Sequence, residues 1–214
     1  MTEAPSRRPA TGARLSVHAL SCKRGDRVLF RGFDLALRAG DVVWLRAANG
    51  IGKTSLLRLM AGLAQPEEGT VEREDGARAP LYLGHANGLK DDLTARESLA
   101  FLATLHGLPS ESAALDDALR RFGLGQRRDA STRTLSQGQR RRVALARLCL
   151  ASSCPVWLLD EPFDALDAEA TALVATVIAE HARRGGAVLY TSHVPVAVPL
   201  ETAREVELLP PPAA

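Results

Sequence analysis

Residues 47–54 read Ala-Ala-Asn-Gly-Ile-Gly-Lys-Thr, which matches the phosphate loop GxxxxGK[ST] except at its first position, where Ala47 replaces glycine. Gly50 and Gly52 let successive backbone N–H groups turn toward phosphate oxygens, and a following helix adds the positive end of its dipole. Asn49 and Ser55 fall within the same phosphate-binding stretch. Lys53 would reach the β- and γ-phosphates, and the Thr54 hydroxyl would ligate a Mg²⁺ that bridges them. Further on, Val156-Trp157-Leu158-Leu159 ends in two carboxylates, Asp160 and Glu161. Asp160 fits as the acid on the Mg²⁺ side, and Glu161 is placed to orient or deprotonate an attacking water. Adjacent acids are common as solvated surface charges, and a Gly turn before an ordinary helix is the bland alternative for 47–54. The combination of a buried strand, this loop and the carboxylate pair argues for phosphoryl chemistry.

These groups need a scaffold that brings strand ends together. Leu15 to Leu20 and Phe33 to Leu37 alternate apolar with small or polar residues, so they predict an early antiparallel sheet with turns at Gly25-Asp26 and Ala39-Gly40. Val42 to Leu45 is continuously apolar, as a strand buried on both faces would be, and an apolar helical stretch from Thr54 to Leu63 follows it. Leu99, Leu102, Leu105, Leu115, Leu119 and Phe122 recur at helical spacing between about Leu93 and Arg128, which predicts an inserted helical subdomain. A helix from about Gly138 to Ala151, a strand Val156 to Leu159, a helix from about Ala168 to Arg184 and a strand Ala187 to Thr191 complete the pattern. Alternating strands and helices predict an α/β fold with a parallel sheet flanked by helices.

At roughly 150 residues per domain, 214 residues suggest one domain with a subdomain. Residues 1–13 and 210–214 read as tails around a folded body at 14–209, with the helical subdomain at about 93–150. Apolar residues at 46% and charged residues at 24% are a globular mix, which excludes disorder, collagen and coiled coil as whole-chain descriptions. Lys and Arg number 27 against 25 Asp and Glu, a net charge of +2 too even to point to nucleic acid. Cys22, Cys149 and Cys154 lack metal-ligand spacing, and no apolar run follows Arg7 and Arg8. A reducing cytosolic compartment and idle or structural thiols are therefore expected. No stretch approaches the ~20 apolar residues of a membrane helix; Val194 to Leu200 is short and broken by Pro195 and Pro199.

Leu135-Ser136-Gln137-Gly138-Gln139 reads by itself as a helix start capped by Ser136. Together with the loop and the carboxylates, it resembles the LSGGQ signature of the ATP-binding-cassette (ABC) ATPases, with Gln137 in place of the first Gly. The order agrees, since Ser136 lies 24 residues before Asp160, and Asp160 lies 107 residues after Lys53. Ala165-Leu166-Asp167 then resembles the D-loop of that family, and His193 in Thr191-Ser192-His193 resembles its switch histidine, 32 residues after Glu161. Two departures narrow the resemblance. His85, in Leu83-Gly84-His85, stands where a Gln is usual, and Arg24, 16 residues before Gly40, stands where an adenine-stacking aromatic is usual. A guanidinium can stack on adenine through its planar face; a loop His and an exposed Arg are the plainer readings. With LGHxxGLK, LTxxES and CxRxDRxLF, the chain resembles the CcmA group, the ATP-binding subunit of c-type cytochrome biogenesis, often called the heme exporter ATPase.

The resemblance implies a P-loop NTPase cassette with a small antiparallel β-subdomain and an inserted helical subdomain. It implies ATP and Mg²⁺ as ligands, with Lys53, Glu161 and His193 in catalysis and Thr54 and Asp160 at the metal. Ala47, Asn49, Gly50, Gly52, Ser55, Arg24 and His85 would contact the nucleotide. Two chains would close head to tail, so that Ser136, Gly138 and Gln139 of one meet the nucleotide held by the other. Implied partners are integral membrane subunits at the cytoplasmic face of the bacterial inner membrane, where the chain would be peripheral, with no nucleic acid. Another small ABC exporter, a soluble non-transport ABC ATPase and a nucleotide-gated assembly factor with slow hydrolysis are the alternatives.

Overall fold

The computed structural model describes residues 12–211. The hairpin forms where alternation and the Gly25-Asp26 turn place it, with β1 at Ala13–Arg24 and β2 at Arg27–Arg38 antiparallel. A third strand, β4 at Glu68–Arg73, completes an antiparallel sheet of order β2-β1-β4. Glycine is required at position 69, where φ is +87° and a Cβ would sit 2.4 Å from the His18 carbonyl. That approach lies beside the irregular pairing between His18 and Ser21.

The second sheet is parallel throughout, in the order β5-β6-β7-β3-β8, with β3 at Val42–Arg46, β5 at Leu81–Leu83, β6 at Val156–Leu159, β7 at Ala187–Thr191 and β8 at Ala203–Glu207. Strand periodicity divides its side chains between two cores. Val43, Leu45, Val156, Leu158 and Leu189 face the antiparallel sheet and helix α1, at Lys53–Met60. Trp157, Leu159, Val188 and Tyr190 face the core formed with helices α2 (Ala95–Leu105), α3 (Ser112–Arg121), α4 (Gln137–Leu150) and α5 (Ala168–Arg183). Burying an apolar side chain contributes about 1.5–3 kcal/mol, so continuously apolar central strands are what a sheet covered on both faces selects.

Several expectations need correction. Helix α1 ends at Met60 rather than Leu63, because Gly62 at φ +75° turns the chain and the Gly62 and Leu63 N–H groups donate back to the Leu59 and Arg58 carbonyls at 3.0 and 2.9 Å. Helix α2 starts after a capping box in which Thr94 accepts from the Glu97 N–H and Glu97 accepts from the Thr94 N–H. Leu105, placed by periodicity on the buried face of α2, is 68% exposed. Strand β1 begins at Ala13, one residue inside the expected tail, and β8 was not anticipated. Residues 1–11 of the first tail and residues 212–214 lie outside the described residues. Cys22, Cys149 and Cys154 carry free thiols, and burial pushes all three above the usual thiol pKa. Among the described residues, no helix is long and apolar enough to cross a membrane.

Candidate functional site

The carboxyl ends of β3, β6 and β7 open into one cleft of about 390 Å³. Residues 47–52 link β3 to α1, with Gly50 at φ +78° and Gly52, the N-cap of α1, at φ +109°. No side chain caps this helix, so its first-turn N–H groups, those of Lys53, Thr54 and Ser55, are available to an anion in the cleft. Glycine at 52 also makes room, since a Cβ there would lie 3.1 Å from the Leu29 Cβ. Ala47 is not among the residues with positive φ, so this position does not require glycine. Ala47 does not line the cleft; it borders a neighbouring depression, and its carbonyl accepts from Lys53 Nζ at 2.9 Å. Asn49 and the exposed Arg24 lie on the cleft wall.

Asp160 is buried and anchored on both oxygens. Thr54 Oγ1 donates to Oδ2 at 2.7 Å and Thr191 Oγ1 donates to Oδ1 at 2.9 Å. The Thr191 hydroxyl also accepts from the Glu161 N–H at 2.8 Å. Glu161 has φ +50°, a left-handed conformation that costs a non-glycine residue roughly 1–3 kcal/mol unless the surroundings hold it. Its Oε2 accepts from the His193 N–H at 3.1 Å, and its Oε1 lies 3.5 Å from His193 Nε2. Burial pushes the Glu161 carboxyl above its ordinary pKa, with His193 pulling it back. Oε1 is buried without a hydrogen-bond partner among the described residues, His193 Nε2 being 3.5 Å away.

His85 stands on the loop after β5 with its ring largely exposed and Nδ1 3.4 Å from Asp164 Oδ2. It borders the cleft and also a second depression beside α2, whose edge includes Leu102 and the exposed Leu105. Ser136, Gly138 and Gln139 do not line the cleft. Ser136 caps α4, accepting from the Gln139 N–H at 3.2 Å while Gln139 Oε1 accepts from the Ser136 N–H at 3.0 Å. Gly138 is needed because a Cβ would sit 2.9 Å from the Ala165 carbonyl. Gln137 is exposed.

Sequence reasoning missed three contributors. Leu29 forms part of the cleft wall. Thr191 enters the sequence reading as a strand end and as a neighbour of His193, with no role of its own, although its place at a carboxyl edge is a usable signal. Arg141 was hidden in the run Arg140-Arg141-Arg142, yet its spacing to Leu145 and Leu148 marks it as the one on the buried face of α4.

Comparison with known proteins gives the family and the fold. A family model described as ABC transporter matches residues 30–164. Over 191 residues the chain is 47% identical to the cytochrome c biogenesis ATP-binding export protein CcmA of Aromatoleum aromaticum, covering 84% of this chain and 89% of that one. An ABC transporter ATP-binding protein from Pyrococcus furiosus superposes with a TM-score of 0.74 at 24% identity, over 89% of this chain and 96% of that one. A dimeric ATP-binding cassette in a post-hydrolysis state with ADP and Pi superposes with a TM-score of 0.72 at 21% identity, over 84% and 88%.

Proposed function

The chain belongs to the ABC transporter family and, within it, to the CcmA group, and from that premise we propose that it is the ATP-hydrolysing subunit of a complex for c-type cytochrome biogenesis. The observation that carries the reading is the convergence of the uncapped α1 N-terminus, Lys53, the Thr54–Asp160 pair and the Glu161–His193 pair on one cleft. Lys53 and the α1 amides would hold the β- and γ-phosphates, and Arg24 at the rim would stack on the base.

Thr54 and Asp160 supply hard oxygen donors within 2.7 Å of each other, a set that suits Mg²⁺. Among the described residues no group of three or more His, Cys, Asp or Glu is arranged to hold a metal by itself; Mg²⁺ in phosphate sites takes its remaining ligands from waters and phosphate oxygens. When bound, Mg²⁺ neutralises charge on the transferring phosphoryl group. Glu161 Oε1 would take the proton of the water whose oxygen bonds to the γ-phosphorus, while the bond from that phosphorus to the bridging oxygen of ADP breaks. His193 would hold the water and γ-phosphate in line beside it.

Two chains would close head to tail around two ATP molecules, with Ser136, Gly138 and Gln139 of each meeting the nucleotide of the other; a dimeric cassette of the same fold supports this arrangement. The contacts of Ser136 and Gly138 to the γ-phosphate held by the other chain would exist only in the closed pair, so hydrolysis would reopen it and perform work on the partners. Those partners would be integral membrane subunits, seated by the depression between His85 and α2, with this chain peripheral at the cytoplasmic face of the inner membrane. Residues 93–150, which carry α2 to α4, would form the helical subdomain of the cassette.

Glu161→Gln tests the reading. ATP binding should persist, hydrolysis should fall by a factor on the order of 10²–10⁴, and an ATP-dependent dimer should accumulate in light scattering. Normal turnover would remove Glu161 from its role. Membrane proteins retained with the wild-type chain in detergent extracts should include cytochrome c biogenesis components, and their absence would favour another exporter.

A further inference from the structure

Arg141 is buried to 2% exposure on α4, five residues after Ser136. The two are thus fixed about 7.5 Å apart along one rigid helix. Among the described residues no carboxylate accepts from its guanidinium, which donates instead to two loops. Nη1 donates to the Gly84 and His85 carbonyls at 3.2 Å each and to Asn87 Oδ1 at 3.1 Å. Nη2 donates to the Asp160 carbonyl at 3.2 Å and the Glu161 carbonyl at 2.6 Å. Placing a cation this deep is costly, and here four of its five contacts go to backbone oxygens of the two segments that border the cleft.

The consequence is sharpest at Glu161. Its peptide is left-handed, and it is gripped from both sides, the N–H by Thr191 and the carbonyl by Arg141. Thr191 belongs to the central sheet, whereas Arg141 belongs to the helix that begins at Ser136. A shift of α4 would pull on the shortest of these bonds and rotate the peptide from which the Glu161 carboxylate extends. The same shift would move the His85 loop, because one guanidinium holds both.

We propose that Arg141 is a positioning residue for hydrolysis: it transmits the seating of the Ser136 helix on one nucleotide to Glu161, which acts on the other. The inference rests on the reading of Ser136 as a contact to the nucleotide held by the second copy. A site would then reach full alignment only when its own chain had closed on the opposite nucleotide, which would synchronise the two sites without any contact between Arg141 and ATP.

The test is a double-mutant cycle in the purified full chain, with kcat and KM for ATP measured for Arg141→Met, Ser136→Ala and the pair. Arg141→Met should leave KM within about twofold and lower kcat roughly 10- to 100-fold, the effect expected of a misplaced reacting group. Ser136→Ala should lower kcat in the parent chain and have much less effect once Arg141 is Met, as residues acting in one unit do. Arg141→Lys should recover only part of kcat, because a single ammonium cannot span both loops as the planar fork does. If Arg141→Met does not fold, the same cycle is run with Arg141→Lys. Independent, multiplicative effects on kcat, or a rise in KM with kcat unchanged, would overturn the transmission role. Wild-type turnover by Ser136→Ala would instead overturn the reading beneath it, and the inference would fall with it.

Discussion

Thr191→Val isolates the support beneath the Asp160 and Glu161 carboxylates, because valine keeps the shape of threonine and loses only the hydroxyl function. Thr191 is completely buried, so water cannot replace what is removed. The Glu161 N–H loses its acceptor, at a cost of about 1–3 kcal/mol for a buried unsatisfied donor. Asp160 Oδ1 loses a hydrogen bond to a charged group, worth about 1.5–3 kcal/mol. Relaxation of the strained Glu161 peptide offsets part of this, so the net loss should be roughly 2–4 kcal/mol. With one of its two clamps gone, that peptide can leave φ +50°, and kcat should fall on the order of 10²-fold, about 2.7 kcal/mol of barrier. ATP binding, which the proposed function assigns to Lys53 and the α1 amides, should change little. Urea unfolding of the nucleotide-free chain gives the first quantity, and steady-state hydrolysis with equilibrium ATP binding gives the others. Thr191→Ser should restore most of both losses. A stability change below about 1 kcal/mol together with unchanged kcat would refute the view that this hydroxyl holds the site.

Lys53→Ala should abolish hydrolysis and weaken nucleotide binding, since it removes the compact charge nearest the phosphates; wild-type turnover would sink the assignment of the loop. His181 is buried against Trp157, ring centroids 3.7 Å apart, and desolvation, with Arg184 adding to it, holds it down at about 4. The unfolded chain takes up that proton near the ordinary value of 6.5 and the folded chain does not, so stability is complete above that pH and falls as pH drops toward 4, by about 3 kcal/mol in total. His181→Phe, which keeps the stack, should remove that part of the pH slope in urea melts, and an unchanged slope would show that other groups carry it. His85→Ala should keep ATP binding and much of the basal hydrolysis while losing stimulation by membrane partners and c-type cytochrome maturation in cells; normal maturation would make the residue a bystander.

How far the fold could be read from the chain follows from which forces shape each element. Strands β6 and β7 begin and end where their apolar runs do, because burial on both faces leaves no polar position to blur the ends. Strand β8, Ala-Arg-Glu-Val-Glu, has no such pattern. It is an edge strand held by register against β3 and by an ion pair between Arg46 and Glu205, both long-range conditions that a local window cannot contain. Strand β4 is similar, with Val71 its only large apolar residue and its place fixed by the gap that Gly69 leaves for the His18 carbonyl. Leu105 fits the helical period and still faces outward. Periodicity identifies an apolar stripe and cannot say whether this chain or another covers it.

The same distinction runs through the site. Lys53, Thr54, Asp160 and Glu161 are legible because phosphoryl chemistry asks for their types at a helix start and a strand end, His193 is legible only through the family resemblance, and the folded chain gathers all five around one cleft. Thr191 and Arg141 are not, because their work is to hold backbone. A carbonyl oxygen accepts from any donor of suitable reach, so nothing in the types of residues 84, 85, 160 and 161 specifies an arginine at 141. What makes Arg141 effective is geometric: a planar fork long enough to span two loops, set on a helix whose first residues point elsewhere. The supports of a phosphate site therefore emerge only when backbone hydrogen bonds are followed from each strained peptide outward. Here that path leads from the carboxylate placed to accept a proton to the helix that begins at Ser136.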